Sequence, residues 1–357
     1  MSRRLLLMLA ALASLMAVPS LASATMAYTG TSKNPSGANL PIIVSNNDGT
    51  GAHTLGLQPV TGWEPVISPN ARYIAVTSLL GAASGWSEEL HFVSVGTGQV
   101  IDTNTTCSDP VWAPNSSAVA CLTPQYSSGG KLLGTVIRTM TPSAFSTPTR
   151  VWVGTGYMIN GISWSPDSTK IAWGQQLIRG RNPIPLLRWR SALGTGGIKK
   201  LGAGAYPVWG PTKIAYVRLK NVSVRGQAWQ YQTVYTTSPN SIRTVKKLST
   251  YKARGLVNGP RPLYWLPNGS AVVGNLMGED YSRPMLINAT TGKLKVFGPT
   301  NSAVAAVSAN SQSALVYGNF LGGGQQTGVI TTFGKSQSYV TALSDAGYVS
   351  VSASWNP

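Results

Sequence analysis

Charge is the most unevenly placed chemistry in this 357-residue chain, which carries 28 Lys and Arg against 10 Asp and Glu. Between Asp167 and Glu279 there is no acidic residue, whereas residues 170 to 261 hold 17 basic ones. A field of one sign attracts polyanions and speeds encounters with acidic partners. The residues expected to face such a ligand are Arg179, Arg181, Arg218, Lys220, Arg225, Lys252, Arg254 and Arg261. General solubility of a basic protein is the competing explanation for the same charge. Residues suited to bond-making are sparse. Glu88-Glu89 and Glu279-Asp280 are acidic pairs, but a glycosidase needs two carboxylates about 5–10 Å apart across one bond. Nothing in the sequence brings these pairs together, so they read as solvated loops between second and third strands. Asp48-Gly-Thr-Gly51 with Asn46 and Asn47 is only a partial calcium-ligand set and reads as a hairpin turn. Cys/His metal spacings are absent. No catalytic residue, metal ligand or cofactor is assigned. Cys107 and Cys121 bracket one predicted hairpin and are a candidate disulfide, which an exported chain permits.

The elements that position these residues repeat. Pro65-Val-Ile-Ser-Pro69, Pro110-Val-Trp-Ala-Pro114, Ile162-Ser-Trp-Ser-Pro166, Pro207-Val-Trp-Gly-Pro211 and Pro262-Leu-Tyr-Trp-Leu-Pro267 are copies of one phrase. Ala305-Ala-Val-Ser-Ala309 is a degenerate copy, and Val351-Ser-Ala-Ser-Trp-Asn-Pro357 is the last. Most copies run through a polar turn into an apolar strand such as Ile171-Ala-Trp173 or Ile214-Ala-Tyr216. A further apolar run and a Gly- or Asn-rich turn follow, as in Phe92-Val-Ser-Val-Gly-Thr-Gly98. Four short strands per unit at a recurrence of roughly 42 to 56 residues predict an all-β propeller of four-stranded blades. First strands ending near Ile67, Trp112, Trp164, Trp209, Trp265, Val307 and Trp355 give seven blades. Six is the alternative, because the Ala305 copy lacks both Trp and Pro.

Residues 1–24 predict a cleaved secretory signal: Arg3 and Arg4, an apolar stretch, then Ala22-Ser-Ala24. Residues 25–357 then form a single propeller domain without a transmembrane segment, located in the periplasm or outside the cell. Removing Arg3 and Arg4 leaves 26 basic residues against 10 acidic, a net charge of +16. The new start, Thr25-Met-Ala-Tyr28, matches the second strand in Lys213-Ile-Ala-Tyr216. One C-terminal strand plus three N-terminal strands are therefore expected to close the ring, removing the free sheet edges. In this frame Trp112, Trp164, Trp209, Trp265 and Trp355 read as blade packing. Trp189 alternates with Arg188 and Arg190 and reads as inter-blade core, with an exposed stacking aromatic as the other option.

Trp164-Ser-Pro-Asp-Ser-Thr-Lys-Ile-Ala-Trp173, together with the hairpin Ile43-Val-Ser-Asn-Asn-Asp-Gly-Thr-Gly51, resembles the repeat of TolB-like (WD40-like) propellers. The resemblance spans 25–357 and implies the ring fold. Its Trp, Pro and Gly build blades and leave the activity open, since such repeats occur in periplasmic scaffolds, prolyl oligopeptidase-like peptidases and pectin lyases. TolB itself has an N-terminal α/β domain before its propeller. Here the repeat begins at Thr25, so contacts with lipoprotein and Tol-complex partners are not carried over. The peptidases add a hydrolase domain with a nucleophile elbow, and no Gly-x-Ser-x-Gly occurs in this chain. The lyases use a histidine cluster for a metal, whereas His53 and His91 fall in different blades.

The functional expectation is an exported, non-enzymatic binding or scaffold propeller whose basic sector engages an acidic protein or an anionic envelope polymer. Those basic residues are placed in loops joining second to third strands (Arg179, Arg181, Arg218, Lys220, Arg225) or joining blades (Lys252, Arg254, Arg261). A polysaccharide lyase or hydrolase acting on an acidic glycan at the central opening is the alternative. Nucleic acid fits the charge, but export argues against it.

Overall fold

The computed structural model describes residues 25–30, 42–46, 50–55, 62–82, 85–145, 147–179, 184–252, 257–278, 282–298, 300–308, 310–318, 327–333, 336–340 and 348–354. Short β-branched runs bounded by Pro, Gly, Asn and Ser leave the chain few other options than strands. Among the described residues, 28 strands form seven four-stranded antiparallel sheets. Blade 1 is Gly62–Ile67, Tyr73–Ala82, Gly85–Ser94 and Val100–Thr106. Blade 2 is Ser108–Trp112, Val119–Tyr126, Leu132–Met140 and Thr149–Thr155. Blade 3 is Tyr157–Trp164, Lys170–Leu177, Leu186–Ser191 and Lys199–Ala203. Blade 4 is Ala205–Trp209, Ile214–Val224, Gln227–Ser238 and Ser241–Lys247. Blade 5 is Val257–Trp265, Ala271–Gly278, Ser282–Asn288 and Leu294–Val296. Blade 6 is Ser302–Val307, Ser313–Gly318, Thr327–Thr332 and Ser336–Val340.

Blade 7 is assembled from both ends of the described chain. Tyr348–Ser354 pairs with Thr25–Gly30, which pairs with Ile42–Asn46 and then His53–Thr54. The register sets Thr25 opposite Ser354 and Ala27 opposite Ser352. The first strand of every blade touches the first strand of the next, and the last touches the first, so the ring closes at seven. Trp355, the leader expected at 1–24, Asp48, Arg181, Arg254 and the Glu279-Asp280 pair lie outside the described residues.

Each first strand runs from the face carrying the inter-blade connections, here the loop face, to the face carrying the first-to-second-strand turns, here the turn face. The phrase tryptophans explain how edges facing the channel stay satisfied. Trp112 Nε1 donates to Val66 O at 2.8 Å, Trp164 Nε1 to Val111 O at 2.9 Å and Trp265 Nε1 to Val208 O at 2.9 Å. Each indole thus takes up a carbonyl on the preceding blade's exposed edge. Between blades 3 and 4 the phrase has Ser163, whose Oγ accepts from Trp209 N at 2.9 Å. Between blades 5 and 6, Tyr264 donates to Ala305 O at 2.7 Å. Pro65, Pro110 and Pro207 bring no N–H to an edge strand. A second row of staples lies in the turns. Asn70 N donates to Ser116 Oγ at 2.9 Å, Asn115 N to Ser168 Oγ at 3.2 Å and Asn268 N to Ser311 Oγ at 3.2 Å.

Cys107 and Cys121 form a disulfide with Cα atoms 5.7 Å apart. It is buried with Phe92, Trp112, Met140 and Phe145 between blades 1 and 2. Trp189 packs between blades 3 and 4, edge-on to Trp209, and its Nε1 donates to Pro239 O at 2.7 Å.

Candidate functional site

The phrases converge on a cavity of about 920 Å³ at the turn-face end of the channel. Its wall is apolar, with Val66, Val111, Trp164, Val208, Trp265 and Val304 among its lining. Pro69, Pro114, Pro166, Pro211 and Pro267 also line it, each from the turn that follows its blade's first strand. Ser163, Asn275 and the two tyrosines, Tyr264 and Tyr317, are its polar side chains. Ser163 and Tyr264 are already engaged in the inter-blade bonds described above, and Asn275 Oδ1 accepts from Val304 N at 3.3 Å.

The other end of the channel differs. Every first strand carries a register shift partway along: between Trp63 and Val66, Ser108 and Val111, Ile159 and Ile162, Ala205 and Val208, Pro262 and Tyr264, Val304 and Ala306, and opposite Thr29-Gly30 in blade 7. Such bulges re-aim side chains. In blades 2 to 4 the bulged residues Asp109, Gly161 and Tyr206 have φ of 50°, 80° and 49°. Left-handed φ is natural for glycine but uncommon for Tyr. Asp109 and Tyr206 each also precede a proline, which restricts the preceding residue further. Strain of this sort gathers at functional sites.

These bulges and the first strand of blade 5 surround a pocket of about 340 Å³ lined by Asp109, Asn160, Tyr206 and Arg261. The Arg261 guanidinium lies over the Tyr206 ring, 4.0 Å from its centroid, a geometry that holds the cation by the ring's negative face. Asn160 Nδ2 donates to Gln176 Oε1 at 2.8 Å, and Asp109 Oδ2 accepts from Ser108 Oγ at 3.4 Å. Nearby, burial and then the Asp109 charge push the Glu88 carboxyl above its ordinary value. The pocket thus combines a carboxylate, an amide, a phenol and a guanidinium at the mouth of the channel.

Arg179, Arg225 and Lys252 lie in the connections expected of them, whereas three other basic residues are placed differently. Arg218 and Lys220 lie within the second strand of blade 4, not in a connection. That strand and the third run on together as a two-stranded ribbon beyond Val217, the last partner of the first strand. Arg225 and Gly226 turn its tip, with φ of 50° and 81°, as a two-residue hairpin of the twist-matched type requires. Polar side chains along 218–233 disguise the alternation: Arg218, Lys220 and Val222 share a face with Trp229, Tyr231 and Thr233. Arg218 stacks on Tyr235, 4.4 Å from the ring centroid. Arg261 is in the first strand of blade 5, not in the inter-blade connection. Glu88 and Glu89 likewise belong to the third strand of blade 1, paired with Leu79 and Ser78. Arg179 and Lys252 are exposed beyond strand ends. Of the expected basic residues, Arg261 joins the mouth pocket, while Arg218, Lys220 and Arg225 share the ribbon. Asp109, Asn160 and Tyr206 escaped the sequence reading. Their signal was the position just ahead of the phrase, where the bulge falls: Asp109 and Tyr206 occupy it, and Asn160 precedes it by one residue.

No protein-family model matches the sequence, and no curated protein matches it. Solved structures do. TolB from Acinetobacter baumannii superposes with a TM-score of 0.53 at 14% identity, over 97% of this chain and 70% of its own. The fold is a β-propeller, as in TolB. A prolyl endopeptidase matches with a TM-score of 0.60 at 12% identity, over 89% of this chain and 49% of its own. The tricorn protease matches at 0.60 and 11% identity, over 85% of this chain and 32% of its own. The chain therefore spans half or less of these peptidases, and the likeness is one of fold.

Proposed function

We propose that this chain is an exported, non-enzymatic binding propeller whose loop face engages an acidic protein or an anionic envelope polymer. The observation that carries the reading is Arg261, held over Tyr206 at the channel mouth beside a ribbon that presents Arg218, Lys220 and Arg225. Acidic residues are missing from 168–278, so blade 4 brings an incoming anion no competing carboxylate and blade 3 only Asp167 on the turn face, which leaves Asp109 as the carboxylate of the mouth pocket. The disulfide and the small-x-small sequence ahead of Thr25 support export. The test is binding to polygalacturonate and to peptidoglycan across a salt series. Affinity should fall steeply with salt, and R261Q should weaken it at least ~5-fold, as expected for a lost charged hydrogen-bond partner. Absent or salt-insensitive binding would sink the proposal.

A second reading is favoured by one observation only: Tyr206, Arg261 and Asp109 share a pocket. Such groups would suit a lyase or hydrolase acting on an acidic glycan. Incubation with polygalacturonate, followed by the ultraviolet absorbance of unsaturated ends and by reducing-end assay, decides it. No product means no such activity.

A further inference from the structure

Among the described residues, the large apolar side chains left most exposed gather on the loop face of blades 2 and 3, with Val153 on the outer strand of blade 2 and Leu193 on a turn-face hairpin of blade 3 as the exceptions. Tyr126 ends the second strand of blade 2 and Leu133 stands near the start of its third. Met158 lies near the start of the first strand of blade 3, Leu177 ends its second, and Ile184 and Leu186 lead into its third. In antiparallel blades these ends all reach the loop face. Ile184 is 68% exposed and Tyr126 54%. Backbone bonds make the patch continuous across the blade boundary. Gly156 N donates to Leu133 O at 2.6 Å, and Ile178 N donates to Gly156 O at 2.9 Å.

The exposed charges within and beside this patch are basic, and the carboxylate of blade 2 on this face, Asp109, sits apart in the mouth pocket. Lys131 and Arg179 are exposed within it, and Lys220 is exposed on the neighbouring ribbon. From 110 to 278 the sole acidic residue is Asp167. It lies on the turn face, where Ser165, Thr169 and Lys170 hold its carboxylate. A contiguous exposed apolar patch marks an interaction site. Stable attachment to a bilayer surface takes two signals, apolar insertion and cations facing anionic headgroups. Both are present here. The apolar residues stand at the ends of separate strands, an arrangement that needs no registered polar partner and that a fluid surface can meet. We propose that the loop face of blades 2 and 3 docks onto an anionic phospholipid surface, with Leu133, Leu177 and Ile184 entering the headgroup layer. This goes beyond polymer binding at the mouth and shares only Lys220 with it.

The experiment is co-sedimentation of the full chain with sucrose-loaded vesicles of phosphatidylcholine, with or without phosphatidylglycerol. Phosphatidylglycerol should raise partitioning at least ~10-fold, and each of K131Q, R179Q and K220Q should lower it by roughly 5-fold. L133Q/L177Q/I184Q should abolish it, while L193Q, which removes a still more exposed leucine from the opposite face, should leave it unchanged. Unaltered thermal melting of the variants excludes unfolding as the cause, because these side chains are exposed. Indifference to phosphatidylglycerol, persistence in the triple variant, or equal loss in L193Q overturns the proposal. If the triple variant instead loses polygalacturonate binding, and no vesicle binding is seen, the patch belongs to the polymer and the lipid assignment fails. Vesicle binding that survives R261Q, in a chain that ignores polymers, would uphold the lipid surface while rejecting the mouth reading.

Discussion

At the turn face, successive blades repeat the same solution: a tryptophan, tyrosine or serine of one blade bonds to the channel edge of its neighbour, and a serine of the next turn accepts from the previous one. At the loop face the same first strands diverge. Their bulges present Asp109, Gly161 and Tyr206 in turn, two of them in a conformation that costs energy. One end of the channel therefore holds the ring together, and the other spends some of that stability on displaying different side chains. Repetition marks structure here, and variation at equivalent positions marks the surface available for recognition.

Substitutions should separate the ends by sign as well as size. The largest loss is expected at Trp164, which is buried and bonded to Val111 O. W164A should cost about 4 kcal/mol in urea denaturation. Removal of the disulfide (C107S/C121S), which closes a 14-residue separation, should cost about 3 kcal/mol, read as a drop in melting temperature. S116A keeps the turn, since Ala71 adopts the same left-handed φ, but frees Asn70 N. Its cost should be about 1 kcal/mol. At the loop face the direction reverses: D109G should stabilise by about 1 kcal/mol while strengthening the binding of an acidic polymer, because it removes a carboxylate from the mouth pocket. If D109G destabilises, the contrast between the two ends breaks.

The smallest effect concerns pH. Glu88 has its folded pKa raised above the ordinary 4.5, so in that window the folded state binds more protons than the unfolded one. Its contribution makes stability fall as pH rises from 4.5 through the folded value. E88Q should remove that slope and add a few tenths of a kcal/mol near neutrality, since the group is only partly buried. Melting temperatures of both proteins across pH 4 to 8 would show it, and parallel curves would argue against it.

The ring was legible because its constraints recur: Trp, Pro and the apolar strand after each turn reappear with every blade, and Thr25-Met-Ala-Tyr28 matched the strand that the last copy lacked. The ribbon was harder to read because neither of its faces is a simple core face, so Arg218 and Lys220 looked like loop composition. Arg225-Gly226 between alternating Val and aromatic residues was nonetheless a hairpin signal. The mouth was least legible. A bulge adds one residue to a strand without disturbing the phrase that follows, and sequence spacing does not show that residues 109, 160, 206 and 261 meet across four blades.

The pairing of Thr25 with Ser354 has a mechanical consequence. These two residues sit at the same end of their antiparallel pair, so tension between the segments leading into Thr25 and out of Ser354 would load the hydrogen bonds one after another. The closing blade would peel open like a zip at low force, without the collective resistance of a strand pair pulled lengthwise. A tether on either end would thus test the ring at its most yielding seam, and opening there would release the first strand of blade 7 while leaving the stapled blades 1 to 6 joined.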